Sequence, residues 1–200
     1  MNDFSRTVPM TQQLIVALRA GVTLLVLCGL IYTGSVTLLG GMLFPKQATG
    51  SLIQHEGRLL GSTLVAQPFV SPGYFYSRPS AAGYDPTITG GSNLAPGNPA
   101  LRERVEAESV RIQALEGVSA SAIPVDLLAA SGGGLDPHIT PESAQLQGAR
   151  VAAARGVSIG QVLELIDQQT EGPQWGLFGQ PRVNVLSLNL ALDALESSTR

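Results

Sequence analysis

From Ala20 to Pro45 the chain runs for 26 residues without a charged side chain. The apolar part, Gly21 to Phe44, would make a helix roughly 36 Å long at about 1.5 Å per residue, enough to cross a hydrocarbon core of about 30 Å with modest tilt. A buried helix of a soluble protein is seldom apolar on every face over such a length. A cleaved signal peptide has a shorter apolar region, about 7–15 residues, that ends in a small-x-small site, and none follows here. The segment therefore reads as an uncleaved membrane anchor. Cys28, the single cysteine, falls in mid-span and reads as packing.

Three segments follow: a tail over 1–19, a transmembrane helix over 20–44 and a globular domain over 45–200. Arg6 and Arg19 before the span balance Lys46 and Arg58 after it, so the positive-inside rule returns a tie. Arg19, at the boundary of a short tail, favours a cytoplasmic N-terminus with the globular domain outside. Gly29, Thr33, Thr37 and Gly41 recur every four residues and give the helix a shallow packing face with hydroxyls for interhelical bonds. Glycine and threonine are also common in any membrane helix, so both readings stay open.

The remainder predicts a small α+β domain, a mixed α/β globule with long Gly/Pro-rich loops. A short helix is expected after Pro45, then a strand near Arg58–Ala66. Residues 68–99 hold six prolines and five glycines, which excludes regular helix. Phe69, Tyr74, Phe75, Tyr76 and Tyr84 argue for order there, since aromatic rings are normally buried or bound. Beyond it, Asn98-Pro99 opens a helix that Gly117 closes, with Leu101, Val105, Ile112 and Leu115 on its apolar stripe. Ile123–Ala130 reads as a strand or buried segment. Thr140 caps a helix running to about Arg155, and Ser158 with Gln161 forms a capping box for another, with Val162, Leu163 and Ile166 inward. Arg182–Leu186 reads as a strand and Leu188–Leu195 as closing helical turns.

The charge balance, 12 basic against 15 acidic residues, excludes a nucleic-acid binder that neutralises phosphates. Lys46 is the only lysine, and no P-loop can be built without a lysine before its Ser/Thr. The turns Gly90-Gly91-Ser92-Asn93 and Ser131–Gly134 could offer backbone amides to an anion, but tight structural turns are the better reading. Asp136 and His138 form a candidate acid–base or metal pair that lacks a third ligand, His55 being far off in sequence. No Gly-x-Ser-x-Gly elbow occurs. Arg78, Arg150 and Arg182 lie in charge-poor segments where they need partners, with Asp85, Asp126 and Asp136 as candidates. On these grounds no catalytic residue and no metal site is expected, and the chain reads as an anchored accessory domain.

Several segments then carry a resemblance: Gly61–Gln67, Tyr74–Ala81, Gly90–Pro99, Val125-Asp126 with Ser131–Ile139, Gln147–Ala152 and Arg182–Leu186. In this order, behind one N-terminal span, they resemble the C subunit of the Kdp potassium-transporting ATPase over about residues 12–196. Ala66 and Ala95 stand where that family more often has glycine, and Gly133 where serine is common. The resemblance marks Tyr74, Arg78, Gln147, Arg150, Arg182 and Asn184, with the turns around Gly90–Asn93, Asp126, Asp136 and His138, as interaction or structural positions.

The resemblance implies a single-pass protein of the cell (inner) membrane that serves a complex importing K⁺ at the expense of ATP. Its implied partners are a channel-like subunit, a P-type subunit that hydrolyses ATP, and membrane lipid. The C subunit is described as an assembly factor and catalytic chaperone that raises the P-type subunit's affinity for ATP. Neither an Asp-Lys-Thr-Gly-Thr phosphorylation motif nor a Thr-Val-Gly-Tyr-Gly filter is present, so both central tasks fall to partners. ATP and K⁺ enter at the level of the complex, with no covalently bound cofactor implied. A globular domain on the outer face could not touch cytoplasmic ATP directly. The aromatic loop and the two glycine turns are then expected to dock on the channel-like subunit. An excess of 14 acidic over 10 basic residues from position 45 on would mildly concentrate cations. The competing readings are a membrane-anchored enzyme using Asp136 and His138, and a nucleotide-binding regulator acting through the glycine turns.

Overall fold

The computed structural model describes residues 9–55 and 57–199. Arg6 and the first eight residues of the tail lie outside the described residues, as do Arg200 and the side chain of His55. The chain divides into two compact units, Met1–Gly50 and Ser51–Arg200.

The first unit is one long helix, α1 (Met10–Leu43), with a mean hydropathy of 2.5 over its most apolar window. It starts ten residues before Ala20, because nothing between Pro9 and Gly21 breaks a helix. Residues Leu25–Tyr32 are wound as a π-helix. At its exit Thr33 Oγ1 donates to the Cys28 carbonyl, five residues back, at 2.8 Å. That hydroxyl is thus already used within its own helix. The helix ends at Phe44, whose φ of −134° suits the residue before a proline. A single turn, Pro45–Ala48, follows.

The second unit is α+β. Strands β1 (Leu52–His55) and β2 (Arg58–Ser62) form an antiparallel hairpin with an irregular register between Ile53 and Gln54. Only β2 was foreshadowed by the sequence. Residues 68–98 hold no regular element, as their proline and glycine content requires. Helix α2 (Pro99–Glu116) is capped by Asn98, which accepts from the Ala100 N–H at 3.0 Å. Gly117 closes it at φ +68°. Ile123–Ala130 contains a helical turn, Val125–Leu128, rather than a strand, with Ile123 and Leu127 buried.

Helix α3 (Pro141–Arg155) begins at its Thr140 cap, and α4 (Ile159–Gln168) at the Ser158–Gln161 capping box. On α4, Val162 and Ile166 are buried, whereas Leu163 is 41% exposed. Leu165 packs against the core in its place. Three short strands, β3 (His138–Ile139), β4 (Thr170–Glu171) and β5 (Arg182–Asn184), make an antiparallel sheet with β5 in the centre. The expected strand over Arg182–Leu186 stops at Asn184. Asn184 Oδ1 accepts from the Ser187 N–H at 3.1 Å and so starts α5 (Val185–Thr199).

One core unites these elements. Ile112 of α2, Ala144 and Val151 of α3, Val162 and Ile166 of α4, Val183 of β5 and Leu188 and Leu192 of α5 form one cluster with Phe75, which is fully buried although it belongs to the long loop.

Candidate functional site

The long loop is the feature around which the predicted residues gather. Between Gly73 and Ser77 burial alternates, with Gly73, Phe75 and Ser77 inside. Such a segment resembles a strand but has no strand beside it. Its backbone groups still need partners, because a buried unpaired N–H or C=O is costly. Two buried amide side chains take the place of the missing strand. Asn189 of α5 accepts from the Phe75 N–H at 2.8 Å and donates to the Phe75 carbonyl at 3.0 Å. Gln147 of α3 does the same for Tyr76, at 2.8 and 3.2 Å.

Arginines fix the start of the segment. Arg150 Nη1 donates to the carbonyls of Pro72 and Tyr74 at 2.6 and 2.9 Å, and its guanidinium lies 4.3 Å from the centre of the Tyr76 ring. Its Nε meets Glu116 at 2.8 Å, with side chains only 9% and 3% exposed. Arg155 donates to the Gly73 carbonyl, pairs with Asp193 and lies over the Tyr74 ring. The Tyr74 hydroxyl donates to Asp193 at 3.1 Å. Tyr74, Gln147 and Arg150 therefore come together. Asn189, Glu116, Arg155 and Asp193, which complete the group, were not singled out in the sequence. Asn189 had a readable signal: it shares a helix face with Val185, Leu188 and Leu192, so it must be buried.

A second group lines a cleft of about 260 Å³, formed by Arg78, Asp126, Asp136, His138 and Arg182 with Thr140 and Gln180. Arg78 pairs with Asp136 at 2.8 Å and donates to the Ala129 carbonyl at 3.3 Å. The other Asp136 oxygen accepts from the His138 N–H at 3.0 Å and faces His138 Nδ1 at 3.4 Å. Asp126 accepts from the Thr140 N–H and hydroxyl and from the Ser143 hydroxyl, so it supports the start of α3. Among the expected arginine pairings only Arg78–Asp136 forms. Arg150 takes Glu116 and Arg182 takes Glu171, while Asp85 accepts from Thr87 within its own turn. Among the described residues no three His, Cys, Asp or Glu side chains are arranged to hold a metal ion.

Burial pushes the Asp136 carboxyl up, but the His138 hydrogen bonds and the Arg78 guanidinium outweigh it and leave its pKa below the usual carboxylate range. The folded-state value being the lower one, this contribution to stability is complete above the unfolded value, about 3.9, and is lost as pH falls through the folded-state value. The stability gap between wild type and Asp136→Asn is expected to be full at neutral pH and to close in acid. Denaturant unfolding across a pH series checks this, and a gap that stays constant into acid contradicts it.

The two glycine turns meet each other. The Gly90 N–H donates to the Gly133 carbonyl at 3.1 Å. A Cβ on Gly91 would stand 2.7 Å from the Gly132 carbonyl oxygen, and one on Gly134, at φ +72°, 2.7 Å from Ala82 Cβ. Backbone spent on such mutual packing is not offered to a phosphate. Ser92 is half-buried and Asn93 exposed at φ +49°. Asn184 lies opposite His138 in the β3–β5 pair and donates to the Thr63 carbonyl at 2.8 Å. Gly29, Thr33, Thr37 and Gly41 all lie on α1 in the other unit.

Comparison with known proteins adds the family. Residues 14–194 match the model of the family described as KdpC, the c chain of a K⁺-transporting ATPase. A potassium-transporting ATPase KdpC subunit of Shewanella putrefaciens is 63% identical over 92% of this chain and 93% of its own. Proteins of the same name from Xanthomonas oryzae pv. oryzae and Myxococcus xanthus are 52% and 48% identical, over 82% and 88% of this chain and 79% and 85% of theirs.

Proposed function

The chain belongs to the KdpC family and is a subunit of a K⁺-transporting ATPase complex, and on that premise we propose that it is an accessory subunit that docks, rather than one that reacts. α1 anchors it in the membrane with the N-terminus cytoplasmic and the soluble unit on the outer face. There the loop over 68–99 meets a channel-like K⁺-translocating subunit, while a P-type subunit hydrolyses ATP on the other side. Any gain in ATP affinity of that subunit is transmitted through the membrane part, as expected of an assembly factor and catalytic chaperone.

The observation that carries this reading is where the polar groups of the soluble unit are spent. Gln147, Asn189, Arg150 and Arg155 are each engaged with loop backbone, and Asp136 with Arg78 and His138. Such a unit is built to hold a surface in one shape. The packed glycine turns give no support to a nucleotide-binding regulator.

Omission of the chain during co-expression tests the reading. The yield of intact complex and K⁺ uptake at limiting K⁺ are both expected to fall sharply. Normal assembly and uptake without it would contradict the proposal.

A further inference from the structure

The hairpin joining β4 to β5 carries ten successive residues, Gly172 to Pro181, without a charge. At its tip Trp175, Leu177 and Phe178 are 83%, 80% and 61% exposed. Single exposed apolar residues are ordinary, but three large ones on one short turn mark a contact surface. The two rings meet edge to face, 6.1 Å between centres, so they form one apolar cap.

We propose that this tip inserts into the interfacial layer of a phospholipid bilayer, as a second membrane contact beside α1. Three observations choose lipid over a protein surface. First, four of the tip's N–H groups are bonded within the tip: Gln174 and Phe178 exchange bonds at 2.8 and 3.0 Å, and the Gly176 and Leu177 N–H groups donate to Pro173 and Gln174. The prolines at 173 and 181 have no N–H at all. A loop entering lipid must satisfy its backbone internally, because hydrocarbon offers no partners. Second, a tryptophan flanked by uncharged residues matches the composition of membrane–water interfaces. Third, only residues 44–51 separate the end of α1 from β1. Fully extended, eight residues reach no further than about 30 Å. A bilayer holding α1 is therefore within tether range of the soluble unit at all times, at high effective concentration. The proposal rests on reading α1 as the anchor.

Trp175 is the only tryptophan in the chain, so its fluorescence reports the tip alone. The full chain is reconstituted into phosphatidylcholine vesicles, with and without brominated acyl chains. Emission is expected to shift to the blue, to lose most of its intensity with brominated lipid, and to resist acrylamide in the aqueous phase. Leu177→Ser with Phe178→Ser, whose unfolding midpoint is expected to match wild type because both side chains are exposed, should restore acrylamide quenching and abolish quenching by bromine. A chain that floats with the vesicles but is quenched only from water overturns the proposal. Shelter that arises only when the partner subunits are added also overturns it, and assigns the tip to a protein contact. Failure to float overturns the anchor reading and the proposal with it.

Discussion

Replacing Arg150 with alanine is expected to destabilise the α+β unit by about 3–5 kcal/mol, the usual cost of removing one partner of a buried ion pair. Glu116 is left behind with a side chain only 3% exposed, and its Oε2 has no hydrogen-bond partner even with Arg150 present. The carbonyls of Pro72 and Tyr74 lose their donor in the same step, and the Tyr76 ring loses the cation above it. A typical domain has a total stability of about 5–15 kcal/mol, so this one change consumes much of it. Urea unfolding of the full chain in detergent measures the loss. Glu116→Leu combined with Arg150→Met should recover most of it, because an apolar pair of similar volume leaves no buried charge. If the single Arg150 variant matched wild type, the clamp would have no energetic role.

Asn189→Leu is the second large effect. The substitution nearly conserves volume and adds apolar surface, yet it leaves both the N–H and the carbonyl of fully buried Phe75 without a partner. At about 1–3 kcal/mol per orphaned group, the expected loss is roughly 2–5 kcal/mol, less what the leucine returns by burial. Hydrogen exchange separates this from a general loss of packing. The Phe75 amide should be protected in wild type and lose that protection in the variant well before α3 and α4 lose theirs. Uniform change across the unit would contradict a local role for Asn189.

These two positions also show what the sequence could and could not disclose. The caps at Asn98, Thr140 and Ser158 with Gln161 were legible because each bonds to a residue two or three positions away. The long apolar helix was legible from composition alone, but its start at Met10 was not, since polar residues such as Gln12 and Gln13 continue a helix without continuing an apolar run. Val183-Asn184-Val185 looked like strand because valine alternates there. Asn184 ends the strand by capping a helix, a role that only its bond to Ser187 reveals.

The support of the loop was harder to read. Gln147 reaches Tyr76 across 71 positions and Asn189 reaches Phe75 across 114. No local pattern encodes such a pairing. The family resemblance pointed to Gln147 and Arg150 but gave no reason for them, and the reason is the backbone of a strand-like segment that has no neighbouring strand. Arg78 and Asp136 stood out as candidates because few charges compete in their surroundings, though which arginine takes which carboxylate did not, whereas Glu116, on a helix rich in Glu and Arg, gave no sign of being the one turned inward.

The central claim is that this subunit contributes a fixed surface to the K⁺-transporting complex and no reacting group. Its most direct test is the K⁺-stimulated ATPase rate per assembled complex, measured beside the yield of complex, for wild type, His138→Ala and Arg150→Ala. The account predicts that His138→Ala leaves both quantities unchanged, and that Arg150→Ala lowers the yield while the complexes that do form turn over normally. Full assembly of His138→Ala complexes with turnover abolished would contradict it.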